Sequence, residues 1–364
     1  MPNWLSSMQQ SYEFYVVDPG TWMDKARLTL VKSCSITRDS SVETLGSATF
    51  DLDEYIGECY VRVYLITVQN GIKEKFPLGT FLVQTVPSSF DGKSKTISAV
   101  AYTPLLELKE SQPPLGYSFL KEDIVMDKVY MLTREHARAP VVKALCDTKM
   151  PYDFVADTSD TWLSFLSDLM AHAKYSFELD ENGRILFSPK QELSALRPVW
   201  TYTDDNSSIL RPEITDEQDL YEIPNVVEVI YSTGYRTYYA RAINKDPDSP
   251  VSIVQRGREI THRITDPDMT GTPSQDQVTE YAKLMLKELS KIEHTVTYTH
   301  GYCPVRVGDC VRLNYARSGL VNVKARVVSQ TINCETGCSV TEKAIYTTDL
   351  LSDSNVEVEV NESH

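Results

Sequence analysis

The densest concentration of chemically capable side chains is the stretch His300-GYCPVRVGDC-Val311, with a histidine, two cysteines, an aspartate and an arginine. A zinc site needs about four nitrogen or sulfur ligands in tetrahedral array, commonly drawn from closely spaced pairs. His300, Cys303 and Cys310 could reach that number only with Cys334 and Cys338, from a later stretch of chain. Three β-segments would then have to converge. The spacings Cys303-x6-Cys310 and Cys334-x3-Cys338 are not those of zinc fingers. Residues seven apart in a strand also point to opposite faces, unless Pro304 and Gly308 bend it. The favoured reading is that these thiols fill a β-structured core, and that no residue is catalytic, cofactor-binding or metal-ligating.

Other chemistries leave weaker traces. The sequence contains no G-x-S-x-G, H-E-x-x-H or G-x-x-x-x-G-K-[ST] motif. Its six histidines are scattered, at 136, 172, 262, 294, 300 and 364. Asp309, after Gly308, reads as a turn residue whose carboxylate accepts from nearby backbone amides. Arg256, Arg258 and Arg263 could bind phosphate, but acids outnumber bases 51 to 36 and are the expected partners. The net charge of -15 argues against a surface built to grip nucleic acid. It suits a wall that DNA passes without adhering. Seven cysteines without a C-x-x-C pair suggest reduced thiols rather than a disulfide framework. The N-terminus lacks the basic and apolar segments of a secretory signal, and no apolar run reaches the roughly 20 residues of a membrane span.

The elements that must position these residues are mostly strands. Tyr60, Arg62 and Tyr64 alternate with Val61, Val63 and Leu65, and Asn70-Gly71 marks a tight hairpin turn. Further strands are expected over 27–32, 47–52, 76–86 and 96–102, a spacing that suits a small barrel or sandwich, and residues 1–103 are expected to be a first β-barrel. Residues 104–194 mix helix and strand, with helices over 121–132 and 139–149. The clearest helix spans 158–174, where Trp162, Phe165, Leu166, Leu169, Met170 and Ala173 form one apolar stripe, capped by Ser159 or Asp157. It leads into a hairpin over 175–188. Residues 195–243 and 294–350 then make a second β-barrel. Between them, 244–293 holds loops, a strand at Val251–Val254, and a helix opened by a capping box of Ser274 with Gln277. Residues 351–364 form an acidic tail or short edge strand. The expected class is therefore β-rich α+β, two similar barrels flanking an α/β insert. The likeness of the barrels is also audible in the sequence: 81–102 and 325–346 each run from a Val-rich strand containing Gln-Thr, through a glycine turn, to an Ala-x-Tyr ending.

Two segments carry a family resemblance. In 157–189, a helix opened by Thr161-Trp162-Leu163 is followed by a Tyr175-x-Phe177 hairpin closed by Gly183-Arg184-Ile185. This resembles the insert domain of phage tail hub proteins. In 278–313, a helix ending Leu289-x-Lys291 precedes Thr-Val-Thr-x-Thr-His-Gly-x-x-Pro-Val-Arg-Val-Gly-Asp-x-Val. This is similar to the strands that open the second barrel of such hubs.

The resemblance spans roughly 25–350 and implies a mechanical role without cofactor or catalysis. It implies a homotrimer whose paired barrels form a pseudo-sixfold ring. That ring would join a tail tube or distal tail protein to a threefold spike or tip protein, with the tape measure protein and DNA passing its channel. The protein would be assembled in the bacterial host cytoplasm and reside in the tail tip or baseplate of the virion. Rival readings are the hub of a phage-derived contractile injection system, a zinc-dependent hydrolase using His300 and the C-terminal cysteines, and a tail-tip carbohydrate-binding module presenting some of the 21 tyrosines.

Overall fold

Alternation of apolar and polar residues becomes strand wherever it is long enough. The computed structural model describes residues 2–85, 87–90, 92–93, 95–205, 209–233, 235–267 and 274–360. The chain divides into two compact units, Met1–Ile214 with Thr297–Ala344, and Thr215–Val296 with Ile345–His364. Within the described residues, β-rich α+β structure is built around one 14-stranded sheet.

In the first unit, strands Gln9–Val17, Val31–Asp39, Gly46–Leu52, Tyr60–Gln69, Ile72–Thr85 and Lys95–Tyr102 pair antiparallel. Their inward rows, including Phe14, Ile36, Phe50, Val63, Leu65 and Ala99, enclose one core. Val61, Val63 and Leu65 enter it, as their alternation requires. Tyr60, on the other face of the same strand, enters a second core with Val129, Trp162, Phe165 and Leu169. A sheet buried on both faces explains why only part of that strand's polar row is polar.

A hairpin turn packs closely against the strand Ile72–Thr85. Strands Tyr175–Leu179 and Ile185–Pro189 are joined at Asp180–Arg184, where Gly183 has φ +75°. A Cβ on Gly183 would lie 2.7 Å from Thr80 Cβ, so both the turn and the close approach require glycine. Arg62, 5% exposed, donates to Asp24, Thr80 Oγ1, and the carbonyls of Trp22 and Asn182.

Several expectations change. Residues 139–149 form no helix. Val142 N–H bonds to Ile185 O and Val125 N–H to Thr148 O, so this stretch gives its backbone groups to neighbouring elements. The helix at 158–174 is Trp162–His172, and Thr161 rather than Ser159 or Asp157 caps it, in a box with Ser164. The strand expected at Val251–Val254 is instead a short helix, Ile253–Arg256, capped by Ser252 and ended by Gly257 at φ +62°.

The second unit packs the helix Gln275–Leu289 on a four-stranded sheet ordered Thr261–Thr265, Val226–Ser232, Thr237–Asn244, Val356–Val360. Ser274 and Gln277 form the expected capping box. Val278, Ala282 and Leu286 meet Val227, Val229, Ala240 and Ala242. The strand pair 226–244, read from sequence as part of a second barrel, thus belongs with this helix. The acidic segment after 351 supplies its edge strand. Residues 361–364 lie outside the described residues, as do Gly234 and Asp91 of two expected turns.

Candidate functional site

The strand Ile292–Gly301 buries alternate residues, and Tyr298 and His300 occupy two of those inward positions. On Ser339–Thr348 the inward row contains Val340, Glu342 and Ala344. A carboxylate thus stands where the pattern calls for an apolar residue, and it is 0% exposed. Tyr202, from Trp200–Thr203, and Gln330, from Leu320–Asn333, complete the cluster.

Glu342 accepts from Tyr298 Oη at 2.7 Å, Tyr202 Oη at 3.2 Å and Gln330 Nε2 at 2.5 Å, with His300 Nε2 at 3.3 Å. These contacts match the number of lone-pair sites a carboxylate offers. His300 Nδ1 faces Gly301 O at 2.6 Å, so both ring nitrogens face acceptors, as an imidazolium requires. Burial opposes its charge, but hydrogen bonds to Cys303 and Glu342 and the Glu342 charge push its pKa up to about 10. Burial likewise opposes the Glu342 carboxylate, yet His300, Tyr298 and Gln330 hold it below the ordinary range. Burial and the Glu342 charge drive the Tyr202 and Tyr298 phenols upward. The cluster is a buried ion pair wrapped in hydroxyl and amide donors. Gln330 ties it outward, donating to Val305 O and accepting from Arg38 Nη1, whose Nη2 donates to Leu78 O.

The five residues of the zinc reading fall in three places. His300 and Cys303 join the cluster, with Cys303 Sγ 3.2 Å from Tyr202 Oη. Cys334 lies beside Cys34, its N–H bonded to Cys34 O, while Cys338 meets the Tyr12 hydroxyl. Burial pushes the Cys338 thiol up to about 12. Cys310 is buried apart from these, with Lys324, Arg312, Arg326 and Asp309 as its charged surroundings. Among the described residues, no group of three or more His, Cys, Asp or Glu side chains is arranged to hold a metal. All seven cysteines are free thiols.

Asp309 accepts from the Arg306 N–H at 2.9 Å, as its turn position predicts. Arg263 pairs with Glu228, whereas Arg256 donates to the carbonyls of Leu220 and Ile223. Trp162 is buried and stacks on His136. His172 meets Tyr152 edge-on.

In the second unit, His294 Nδ1 lies 3.0 Å from Asp216 Oδ1, and its Nε2 lies 3.0 Å from Thr348 Oγ1. Tyr346 stacks on the imidazole and donates to Asp216 Oδ2. The sequence reading missed this line, as it missed Glu342, Gln330, Tyr202 and Tyr298. The available signal was parity: His294, His300, Glu342 and Tyr346 all sit on inward rows of alternating strands.

No protein-family model matches the sequence, and no curated protein does. Solved structures do share its fold. A tail protein from Neisseria meningitidis superposes with TM-score 0.63 at 13% identity, over 93% of this chain and 97% of that one. The 43 kDa tail protein of prophage MuSo2 from Shewanella oneidensis gives 0.61 at 10% identity, over 92% and 98%. The fold is that of these tail proteins. A chain of the Francisella PdpA–VgrG complex gives 0.55 at 10% identity, over 94% of this chain and 53% of that one. Among the described residues, no helix is long and apolar enough to cross a membrane.

Proposed function

We propose that the chain is a structural hub of a phage tail tip or baseplate, acting as a homotrimer. The observation that carries this reading is a fold shared with tail proteins over nearly the full length of both chains.

The strand order supports the symmetry such a hub needs. The strands Val31–Asp39, Gly46–Leu52, Tyr60–Gln69, Ile72–Thr85 and Lys95–Tyr102 lie in the spatial order third, fourth, fifth, second, first. The strands Leu210–Asp219, Ile292–Gly301, Cys310–Tyr315, Leu320–Asn333 and Ser339–Thr348 lie in the same order. The sequence echo of 81–102 and 325–346 falls on the fourth and fifth strands of each set. Two like β-domains per chain, in three chains, would present six similar surfaces. Such a ring would meet a sixfold tail tube or distal tail protein on one side and a threefold spike or tip on the other. Its channel would pass DNA and the tape measure protein. The protein would be assembled in the host cytoplasm and reside in the virion.

A second reading, the hub of a contractile injection system, draws on the shared fold with a chain of the PdpA–VgrG complex. In neither reading does the His300 cluster act on a substrate. It is a core polar network, with its acceptors already filled by protein donors.

Native mass spectrometry tests the hub reading. A metal-free trimer of about three times 41.2 kDa is the expected result. A monomer that neither self-associates nor binds tube, distal tail or spike proteins overturns it.

A further inference from the structure

The four-stranded sheet of the second unit has two open edges among the described residues, and they carry opposite charge. Its registers align Arg263, Glu228, Arg241 and Glu359 in one row across all four strands. Three ion pairs follow that row, and Arg241 also reaches Glu259, which stands just before the Thr261–Thr265 strand. Arg263 Nη2 lies 2.7 Å from Glu228, Arg241 Nε lies 3.5 Å from Glu228, and Arg241 Nη1 lies 2.8 Å from Glu359. The signs alternate from one edge to the other.

The two central members are enclosed, with Glu228 and Arg241 side chains 13% and 16% exposed. The end members are open, Arg263 at 63% and Glu359 at 52%. Glu357, two residues from Glu359 on the same face, pairs with Lys245 and is also open. The opposite face carries apolar residues at both edges, with the exposed His262 beside them on the Thr261–Thr265 strand. Ile264 on one edge strand, and Val356 and Val358 on the other, pack against the helix core.

Strand direction decides how two copies can meet. Thr261–Thr265 is parallel to Val226–Ser232. Val226–Ser232 is antiparallel to Thr237–Asn244, and that strand is antiparallel to Val356–Val360. The two edge strands therefore run the same way. Rotation about an axis along the strands preserves their direction and brings the C-terminal edge of one copy beside the Thr261–Thr265 edge of the next. That contact is head-to-tail and can close into a ring. A twofold contact is disfavoured at either edge. Pairing two C-terminal strands opposes Glu357 and Glu359 with themselves, and pairing two Thr261–Thr265 strands brings Arg263 towards Arg263. Like charges placed opposite each other in a sheet are destabilising.

We propose that Val356–Val360 of one copy adds as a parallel strand to Thr261–Thr265 of a second copy, continuing the alternating charge row and the apolar face across the boundary. The partner is a second copy of this chain, because among the described residues the register places no base beyond Glu359 and no acid beyond Arg263, and each edge supplies what the other lacks. The inference rests on the homotrimer reading and says which strands join its subunits.

The test introduces an amine at the basic edge. Arg263→Lys in the full chain is treated with a zero-length carbodiimide, which joins amines to carboxylates in direct contact. The expected result is a covalent dimer and trimer ladder absent from the untreated protein and from wild type. Peptide mapping of the dimer band should place the link between position 263 and Glu357 or Glu359. Removing both acids in the same background (Glu357→Gln with Glu359→Gln) should abolish the ladder. In a separate series, Glu357→Lys with Glu359→Lys should raise the concentration at which half the chains are trimeric by at least tenfold. Adding Arg263→Glu should restore most of that loss, and circular dichroism of each variant checks that it folds. A native trimer whose position-263 links are confined to Glu228 overturns this interface while leaving the homotrimer standing. A chain that stays monomeric at every concentration overturns the interface, and the hub reading is then judged by binding to tail proteins.

Discussion

Glu342 is the residue whose removal should be felt most. It is fully buried, and its charge is matched by His300 and by the donors Tyr202, Tyr298 and Gln330. Breaking a buried pair by deleting one partner costs about 3–5 kcal/mol, because the other charge is left uncompensated. Glu342→Ala should lose stability on that scale in urea unfolding, and a loss under about 1 kcal/mol would mean the pair is not charged. The pH dependence has a defined sign. His300 holds its proton in the folded state up to about 10 but in the unfolded chain only to about 6.5. Between those values the folded state binds more protons, so stability is full below about 6.5 and falls as pH rises towards 10. Glu342 acts at the other end: its lowered value gives stability that is present above about 4.5 and is lost as pH falls further. His300→Gln should flatten the alkaline slope of the urea midpoint, and an unchanged slope would assign it to another group. Reading His300 as a core residue was possible from strand alternation alone. Its partner was not, because Glu342 stands in an ordinary Thr-Glu-Lys stretch and meets His300 only through strand pairing.

Among the elements, the pairing of Val31–Asp39 with Gly46–Leu52 rests on one glycine. Gly46 has φ +140°, and a Cβ there would lie 2.2 Å from Thr37 O and 3.0 Å from Arg38 Cα. Both obstacles are backbone, so no side-chain rotation relieves them. Gly46→Ala should cost about 3 kcal/mol, within the range for a residue forced into strain at a special φ. Gly57 has φ +73° with open space around it, and Gly57→Ala should cost only about 1 kcal/mol. Thermal unfolding of the two variants separates clash from simple backbone strain, and equal losses would refute the clash. Features set by neighbours in sequence were legible. The Ser274–Gln277 box, the helix stripe through Phe165 and Leu169, and the 175–189 hairpin each follow from spacing within a few residues. The helix expected over 139–149 failed because its backbone partners, at Ile185 and Val125, lie elsewhere in the chain. The parallel pairing of Trp200–Thr203 with Cys310–Tyr315 is distant in the same sense, and no local pattern announces it.

For the whole molecule, the repeated strand order was partly legible, since the echo of 81–102 in 325–346 can be heard without coordinates. The second unit was not, because it gathers residues 215–296 with 345–364, and the joining strand reads as an acidic tail. Charge is a property of the whole chain that needs no fold to be predicted. A net charge of -15 leaves few uncommitted bases, and many that the structure describes are already paired: Arg62 with Asp24, Arg138 with Glu107, Arg241 with three glutamates, Arg306 with Glu181. Non-specific DNA affinity comes from cations that displace condensed counterions, with dissociation constants of about 10⁻⁴ to 10⁻⁶ M at physiological salt in proteins built for it. This protein should bind duplex DNA more weakly than about 10⁻⁴ M under those conditions, in electrophoretic mobility shift or fluorescence anisotropy. Lowering the salt should help little, because a surface of like sign gains repulsion as screening falls. Micromolar binding that strengthens steeply at low salt would reveal a concentrated basic path and would refute a passage that DNA crosses without adhering. Weak, salt-insensitive behaviour is what the proposed channel would need if DNA moving through it is to leave as readily as it enters.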